Sequence, residues 1–312
     1  MYTVQHRVIQ KLLKHEAINF VLQGLSVWEE QITSFNQFFQ DFRSITGNTA
    51  VQLYQAEHLL TPDFHLEIFE SFPHAHYLSI WAVSTFAQFE ELKEQNSECT
   101  RLSLWGWRIH ALPKQISNLR HLQSLNLTAN RLKKLPSSIC SLTKLEKLDL
   151  HRNELSALPK NFGKLAHLKY LDLSSNQLSQ LPDSFAELKQ VSKLYLHRNQ
   201  FQEFPDILTE LTQLQILDLQ INQLVHIPPS IQKLCRLKKL YLDTNQLVSI
   251  AEEIGSLTRL STFNLNRNQL RSLPSSFQAL TELRKLYIND NQFSREEKNR
   301  IKNLIPKCEI WF

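Results

Sequence analysis

Residues that could catalyse a reaction or bind a metal are few and scattered in this sequence. His74 and His76 resemble a metal-binding pair, but cysteine or carboxylate partners at suitable spacing are missing, which favours ordinary surface histidines. No phosphate-binding GxxxxGK[ST] loop, GxSxG nucleophile motif or HExxH zinc motif occurs. The sequence therefore predicts a protein that is not an enzyme and that needs no cofactor or metal.

The cysteines give the same indication. They are far apart along the chain and form neither a CxxC pair nor the close framework of a small disulfide-rich domain. They are Cys99, Cys140, Cys235 and Cys308. We therefore expect reduced thiols and a cytoplasmic location. Export by a route that uses no cleaved signal would give the same N-terminus, so that alternative stays open.

The apolar segments are too short for a membrane span, because no window approaches 18 consecutive apolar residues. The charge is uneven. Residues 1–100 hold five Lys/Arg and twelve Asp/Glu, a net charge of −7, whereas residues 101–312 hold thirty and eighteen, a net charge of +12. The lysines and arginines of the basic part are scattered, which favours a solvated surface over a nucleic-acid site. We expect a monomer that binds neither nucleic acid nor membrane.

An internal repeat organises the basic part of the chain. Asparagine recurs at one constant spacing, and pairs of leucines keep step with it, for example Leu148 with Leu150. The row of asparagines comprises Asn130, Asn153, Asn176, Asn199, Asn222, Asn245, Asn268 and Asn291. The alternation of the leucines predicts a short strand with both side chains on one face. One such strand buries little surface, so neighbouring units must stack into a parallel sheet over a leucine core.

Two further residues of each unit have a predicted role. The asparagine follows the strand, where its side chain can bond turn backbone groups that would otherwise be buried without partners. The prolines recur at the same spacing as the asparagines, as Pro136 and Pro159 show, and only Ala251 interrupts their row. Because proline has a fixed φ and no N–H, it suits an extended turn that leads into a short helix.

These residues resemble the leucine-rich-repeat family in its 23-residue form, LxxLxLxxNxLxxLPxxI/FxxL. The resemblance covers residues 102–312, although Trp107 replaces the first asparagine. Leu-Pro repeats of this type occur in bacterial cytosolic or effector proteins and in Ras-associated proteins. The resemblance implies a right-handed solenoid of α/β class, with a concave parallel sheet and convex short helices. It also implies recognition of a protein on the concave side.

The ends of the chain depart from the repeat. Residues 1–75 show apolar side chains at helical spacing and a plausible helix start at Thr61 and Pro62, which predicts a helical N-terminal unit. The solenoid is predicted over 76–293, with a degenerate first repeat in which Leu78 aligns with Leu102. Residues 294–312 read as a charged helix followed by an apolar tail, which predicts a cap on the last leucine layer.

The residues that flank the leucines alternate onto the concave side, and they predict the binding site. Lysine and tyrosine recur there in every second unit, which duplication of a two-repeat block also explains. Tyrosine and arginine are favoured anchors of interfaces. The predicted site comprises Lys147, His151, Arg152, Tyr170, Lys193, Tyr195, His197, Arg198, Lys239 and Tyr241. We expect Asp149, Asp172 and Asp218 to neutralise some of these lysines.

Two hypotheses of function follow. The first is a non-catalytic interaction module that binds a partner protein on the concave face, with a mixed patch suited to acidic and apolar groups. The alternative is a regulatory or effector protein in which the acidic helical N-terminal unit, residues 1–75, is the docking module. A plain end cap is a third reading of that unit, and it would carry no binding role.

Overall fold

The computed structural model describes residues 100–312, apart from 107, 108 and 113, together with the stretches 19–21, 51–54 and 78–79. In the described residues, thirteen strands form one parallel sheet. Ten of them come from the described residues from 100 onward. They are β4 (Arg101–Ser103), β5 (Ser124–Asn126), β6 (Lys147–Asp149), β7 (Tyr170–Asp172), β8 (Lys193–Tyr195), β9 (Ile216–Asp218), β11 (Lys239–Tyr241), β13 (Thr262–Asn264), β14 (Lys285–Tyr287) and β15 (Glu309–Trp311).

Three further strands continue the sheet at its N-terminal edge, namely β1 (Asn19–Val21), β2 (Val51–Tyr54) and β3 (Leu78–Ser79). Each pairs in parallel with the next. Leu78 pairs with Leu102, as the alignment of the degenerate first repeat predicts. The sheet thus reaches into the segment for which only helices are predicted. The predicted helix start at Thr61 and Pro62, the histidines His74 and His76, and Trp107 lie outside the described residues.

The strands stack in register, without stagger. Leu148, Leu171 and Leu194 are successive partners across β6, β7 and β8, and the same pairing continues along the sheet. Both leucines of each Leu-x-Leu unit are buried in one continuous apolar core. Burial of a leucine side chain contributes about 1.5–3 kcal/mol, so stacking rather than any single unit stabilises the fold.

The return segments are short 3-10 helices. In the described residues they are Lys114–Asn118, Ser137–Ser141, Phe162–Lys164, Asp183–Glu187, Asp206–Glu210, Pro229–Lys233, Glu252–Ser256 and Ser275–Ala279. Four of them follow a proline with extended backbone, and Ala251 adopts the same conformation where the proline row is interrupted. A second, two-stranded sheet of β10 (His226–Ile227) and β12 (Ser249–Ile250) lies just before two of these helices.

The C-terminal residues close the core. Helix α1 (Arg295–Leu304) is capped at its N-terminus by Ser294, whose hydroxyl accepts a hydrogen bond from the Glu297 N–H. Ile301 and Ile305 are buried against the last repeat. Strand β15 then pairs in parallel with β14, so the tail covers the sheet edge as well as the leucine layer. Within the described residues, no helix has the length and apolar character needed to cross a membrane.

Candidate interaction surface

A row of asparagines fixes the turns that follow the strands. The amide nitrogen of Asn199 donates to the carbonyl oxygens of Leu196 (3.0 Å) in its own turn and Leu173 (3.0 Å) in the preceding repeat. Its Oδ1 accepts from the Leu178 N–H at 3.0 Å, also in the preceding repeat. The predicted bonding of the turn is present, and the side chain also ties adjacent repeats together. The same pattern recurs from Asn130 to Asn291.

The turn residue just before each asparagine has left-handed backbone geometry. Eight non-glycine residues share it, with φ between 52° and 56°: Ala129, Arg152, Ser175, Arg198, Ile221, Thr244, Arg267 and Asp290. Arg152 and Arg198 are exposed in these turns. Both arginines of the predicted site therefore lie in turns, at the border of the strands. The predicted lysines and tyrosines lie on β6, β7, β8 and β11. His151 and His197 lie just beyond β6 and β8.

The alternation of the strands brings the remaining predicted residues onto one face. Lys147, Lys193 and Lys239 are exposed, whereas the tyrosines between and beside them are half-buried. The Lys147 Nζ lies 4.9 Å from the centre of the Tyr170 ring, and that ring lies 5.5 Å from the Tyr195 ring. Burial raises the pKa of the Tyr195 and Tyr241 hydroxyls above the ordinary value, so both remain O–H donors at neutral pH.

Two histidines form a second cluster on this face. The rings of His151 and His197 lie 5.8 Å apart, and His151 Nδ1 is 2.7 Å from the hydroxyl oxygen of Ser174. His197 Nδ1 lies 3.1 Å from Asp218 Oδ2, within ion-pair distance, although the alignment is too poor for a hydrogen bond. The histidines are thus held by polar neighbours and contribute to the mixed character of the surface.

The expectation that Asp149, Asp172 and Asp218 neutralise the lysines is wrong. Thr128 donates to Asp149 at 2.6 Å, Tyr170 and Ser174 donate to Asp172, and Gln220 donates to Asp218 at 3.3 Å. Each carboxylate also accepts the backbone N–H two residues further on, which holds it close to the sheet. In the described part of the chain, none of these aspartates forms an ion pair with a lysine, and the ammonium groups stay exposed to solvent.

Sequence reasoning left out three residues that extend this face. Lys285 and Tyr287 on β14 repeat the pair on β11, and their recurrence in every second unit was a signal that could have included them. The Trp311 ring stacks on the Tyr287 ring, with 4.4 Å between the ring centres. Trp311 lies in no repeat, because it follows α1, so no periodicity could have placed it beside Tyr287.

The described cysteines differ in their exposure. Cys140 is buried, and burial raises the pKa of its thiol to about 11, which makes it a poor nucleophile. Cys235 is exposed and unpaired. The described residues contain no cluster of three or more His, Cys, Asp or Glu side chains arranged to bind a metal ion.

Several solved structures share this architecture. The internalin InlF of Listeria monocytogenes is 20% identical with a TM-score of 0.68, over 84% of this chain and 71% of that one. The TLR13–ssRNA13 complex is 24% identical with a TM-score of 0.66, over 74% and 34%. The PEPR1–AtPEP1 structure is 26% identical with a TM-score of 0.58, over 72% and 33%. The chain thus spans about a third of the length of these last two. A comparison with curated protein sequences found no match.

Models of the repeat itself match most of the described chain. A model described as leucine-rich repeat region matches residues 99–160 and 147–227, and one described as leucine rich repeat matches residues 235–293. Together they cover more than half of the chain, and the predicted right-handed solenoid is confirmed. Proteins with this fold generally mediate protein–protein interaction and are typically not catalysts. The chain belongs to the leucine-rich-repeat family.

Proposed function

We propose that this protein is a non-catalytic interaction module that binds a partner protein on its concave face. The observation that carries the proposal is the row of exposed lysines beside half-buried tyrosines on the strands. Tyrosine offers a large contact area with a polar group at its end, and it loses little side-chain entropy on binding. The lysines add attraction for an acidic partner, which increases the rate of association.

Carboxylates on the same face favour a protein over a nucleic acid as the partner. Asp149, Asp172 and Asp243 are half-buried and lie on or beside the strands that carry the lysines. A phosphate backbone carries one negative charge per nucleotide and would meet these groups at close range. A protein surface with separate acidic and apolar groups can instead place each next to a suitable neighbour. The solved complex of a structural neighbour with RNA makes this alternative worth testing directly.

The test is capture of partners from the source cell with crosslinking, comparing the intact chain with the double variant Tyr195→Ala, Arg198→Glu. The variant must first show unchanged circular dichroism and melting temperature. We expect loss of the captured partner, because the substitutions remove an aromatic anchor and reverse a charge. Nuclease treatment of the lysate should leave capture by the intact chain unchanged.

A matched control distinguishes the alternative site. The segment 101–312 should still capture the partner if the concave face is sufficient. Capture that survives the double variant but is lost on removal of residues 1–75 would overturn the proposal. It would favour docking through the acidic N-terminal unit, for which the net charge of −7 in residues 1–100 is the motivation.

A further inference from the structure

Three strands of the concave face carry the same pair of outward residues. Lysine holds the first position and tyrosine the third in β8, β11 and β14. We call these six residues the Lys–Tyr ladder: Lys193, Tyr195, Lys239, Tyr241, Lys285 and Tyr287. The pairing aligns Lys193 with Ile216 and Ile216 with Lys239, so the lysines form one straight column. The tyrosines form a second column, aligned through Asp218 and Asn264.

The step of the ladder follows from sheet geometry. Neighbouring strands lie about 4.8 Å apart, so residues two strands apart are separated by about 9.6 Å. The two columns are about 6.6 Å apart, because each lysine and its tyrosine are two residues apart on one strand. Since the sheet is on the concave side, the side-chain tips lie slightly closer together than the backbone. The ladder therefore offers equivalent contacts at a step equal to this two-strand separation or a little less.

A polyproline-II segment has nearly this repeat. It has three residues per turn and a rise of about 3.1 Å, so equivalent side chains recur every ~9.3 Å. An α-helix presents the same face every seven residues, about 10.5 Å, and an extended strand every two residues, about 6.6 Å. Over the two steps of the ladder, the polyproline-II segment is out of register by about 0.6 Å and the α-helix by about 1.8 Å. Curvature of the sheet reduces the first mismatch and increases the second.

The side chains suit an acidic segment of this kind. The ammonium groups of Lys193, Lys239 and Lys285 are exposed, and none of them has an ion-pair partner in the part of the chain that the structure describes. Aromatic rings that line a groove are the usual surface for polyproline-II ligands, since proline packs against them. The tyrosine hydroxyls can also donate to the free carbonyl groups of such a ligand, which has no internal hydrogen bonds.

The strand between two rungs does not oppose this charge. Asp218 is 6% exposed and accepts hydrogen bonds from the Gln220 backbone and side chain. It also lies 3.1 Å from His197. Ile216 is half-buried and offers an apolar contact between Lys193 and Lys239. Between the first two rungs, the floor is therefore apolar or already paired.

We propose that the Lys–Tyr ladder binds an acidic polyproline-II segment of the partner, with Asp or Glu at every third position and proline between them. The carboxylates accept from the lysine ammonium groups, and the prolines pack on the tyrosine rings. This inference rests on the proposed function, because it names the class of segment that the concave face recognises.

The test measures binding of labelled synthetic peptides to the full chain by fluorescence anisotropy. The probe is (Glu-Pro-Pro)₄. The control has the same composition, shuffled so that no two glutamates are three or six residues apart. We expect the shuffled peptide to bind about tenfold more weakly, because only one rung can then pair at a time. A helical peptide with glutamate at every seventh position should also bind more weakly than the probe.

Variants locate the site. Lys193→Glu with Lys239→Glu should abolish the preference for the period of three. Lys133→Glu with Lys160→Glu is the matched control, because both residues are exposed outside the strands and the change in net charge is equal. Tyr241→Ala should weaken binding, and Tyr241→Phe should restore most of it, since the ring is retained. Each variant is checked for an unchanged melting temperature.

Equal affinity for the probe and the shuffled peptide would overturn the inference, and so would tighter binding of the helical peptide. Loss of binding in the matched control to the same extent as in the ladder variant would also overturn it, since attraction would then be nonspecific. None of these outcomes affects the capture experiment on Tyr195 and Arg198. Failure of the ladder is therefore distinguishable from failure of the proposed function.

Discussion

The buried residues of this solenoid and the exposed residues of its concave face recur with different periods. The buried leucines and the asparagines recur in every unit, and the asparagine row has the same bonds from Asn130 to Asn291. The outward residues of the same strands change from unit to unit, and lysine and tyrosine return only in every second one. The difference shows what each set has to satisfy. A stacked core and its turns demand identity between neighbours, whereas the exposed face leaves the sequence free to vary.

The largest effect that this comparison predicts comes from removing the cap. Deletion of 294–312 should cause aggregation and a large fall in melting temperature. The deletion exposes Leu286 and Ile288, which are 0% and 1% exposed in the intact chain. It also uncovers the edge of β14, and unpaired edges associate with one another. Light scattering after size exclusion is the measurement. A truncated chain that stays monomeric and keeps its melting temperature would show that the inner rows need no cover.

A change within the asparagine row should have the next largest effect. Asn199→Ala leaves the buried Leu178 N–H without a partner. It also removes one of the two asparagine donors to each of the Leu173 and Leu196 carbonyls, which keep Asn176 and Asn222 respectively. Each unsatisfied buried group costs about 1–3 kcal/mol, so we expect a loss of at least that size. Urea denaturation measures it. Gln200→Ala is the control, because Gln200 is the exposed neighbour and should change the free energy of unfolding by less than about 0.5 kcal/mol.

The smallest effect should come from Asp243 on the concave face, and here the substitution should stabilise the fold rather than destabilise it. Burial raises the pKa of Asp243, with a further contribution from Asp218, so the folded state holds the ionised form at a cost. Asp243→Asn should therefore stabilise the fold at neutral pH. The amide oxygen can still accept from Asn264, which donates to Asp243 at 2.8 Å.

The pH dependence follows from the direction of that shift. A raised pKa means that the folded state binds the proton more tightly than the unfolded state. The advantage of the asparagine variant should thus be present at neutral pH and disappear once the pH falls below the ordinary aspartate value, about 3.9. Thermal denaturation of both proteins at several pH values measures this. A variant that is less stable than the parent at pH 7 would mean that the Asp243 carboxylate stabilises the concave face.

The sequence was sufficient to predict the sheet, the core and the asparagine turns. The constant spacing of the leucines and asparagines determines these elements. A strand such as β8 can bury Leu194 and Leu196 only if its neighbours bury their leucines too. The alternation of the strand then decided which side chains lie on the concave face. Their partners were not predictable in the same way. Whether Asp172 bonds Ser174 or a lysine depends on side-chain rotamers and on contacts across strands, which no repeat encodes.

The ends of the solenoid were also harder to predict. The helix over 295–304 follows from its charged, amphipathic pattern, but the strand after it does not. Glu297 accepts from the Leu273 N–H at 3.0 Å, and Arg300 donates to the Leu273 carbonyl, so the cap is held by contacts between residues more than twenty apart. At the other edge, β1 and β2 extend the sheet from a segment in which no repeat is visible.

The asparagine row has a consequence for how such a chain can change length. Each asparagine side chain bonds its own turn and the repeat before it, so a newly inserted unit meets the same partners wherever it enters the stack. Duplication of a two-repeat block would add one rung with its lysine and tyrosine and leave the C-terminal cap in place. The groove would grow by about 9.6 Å, close to the length of one polyproline-II turn. Each such duplication would therefore lengthen the preferred ligand by one polyproline-II turn.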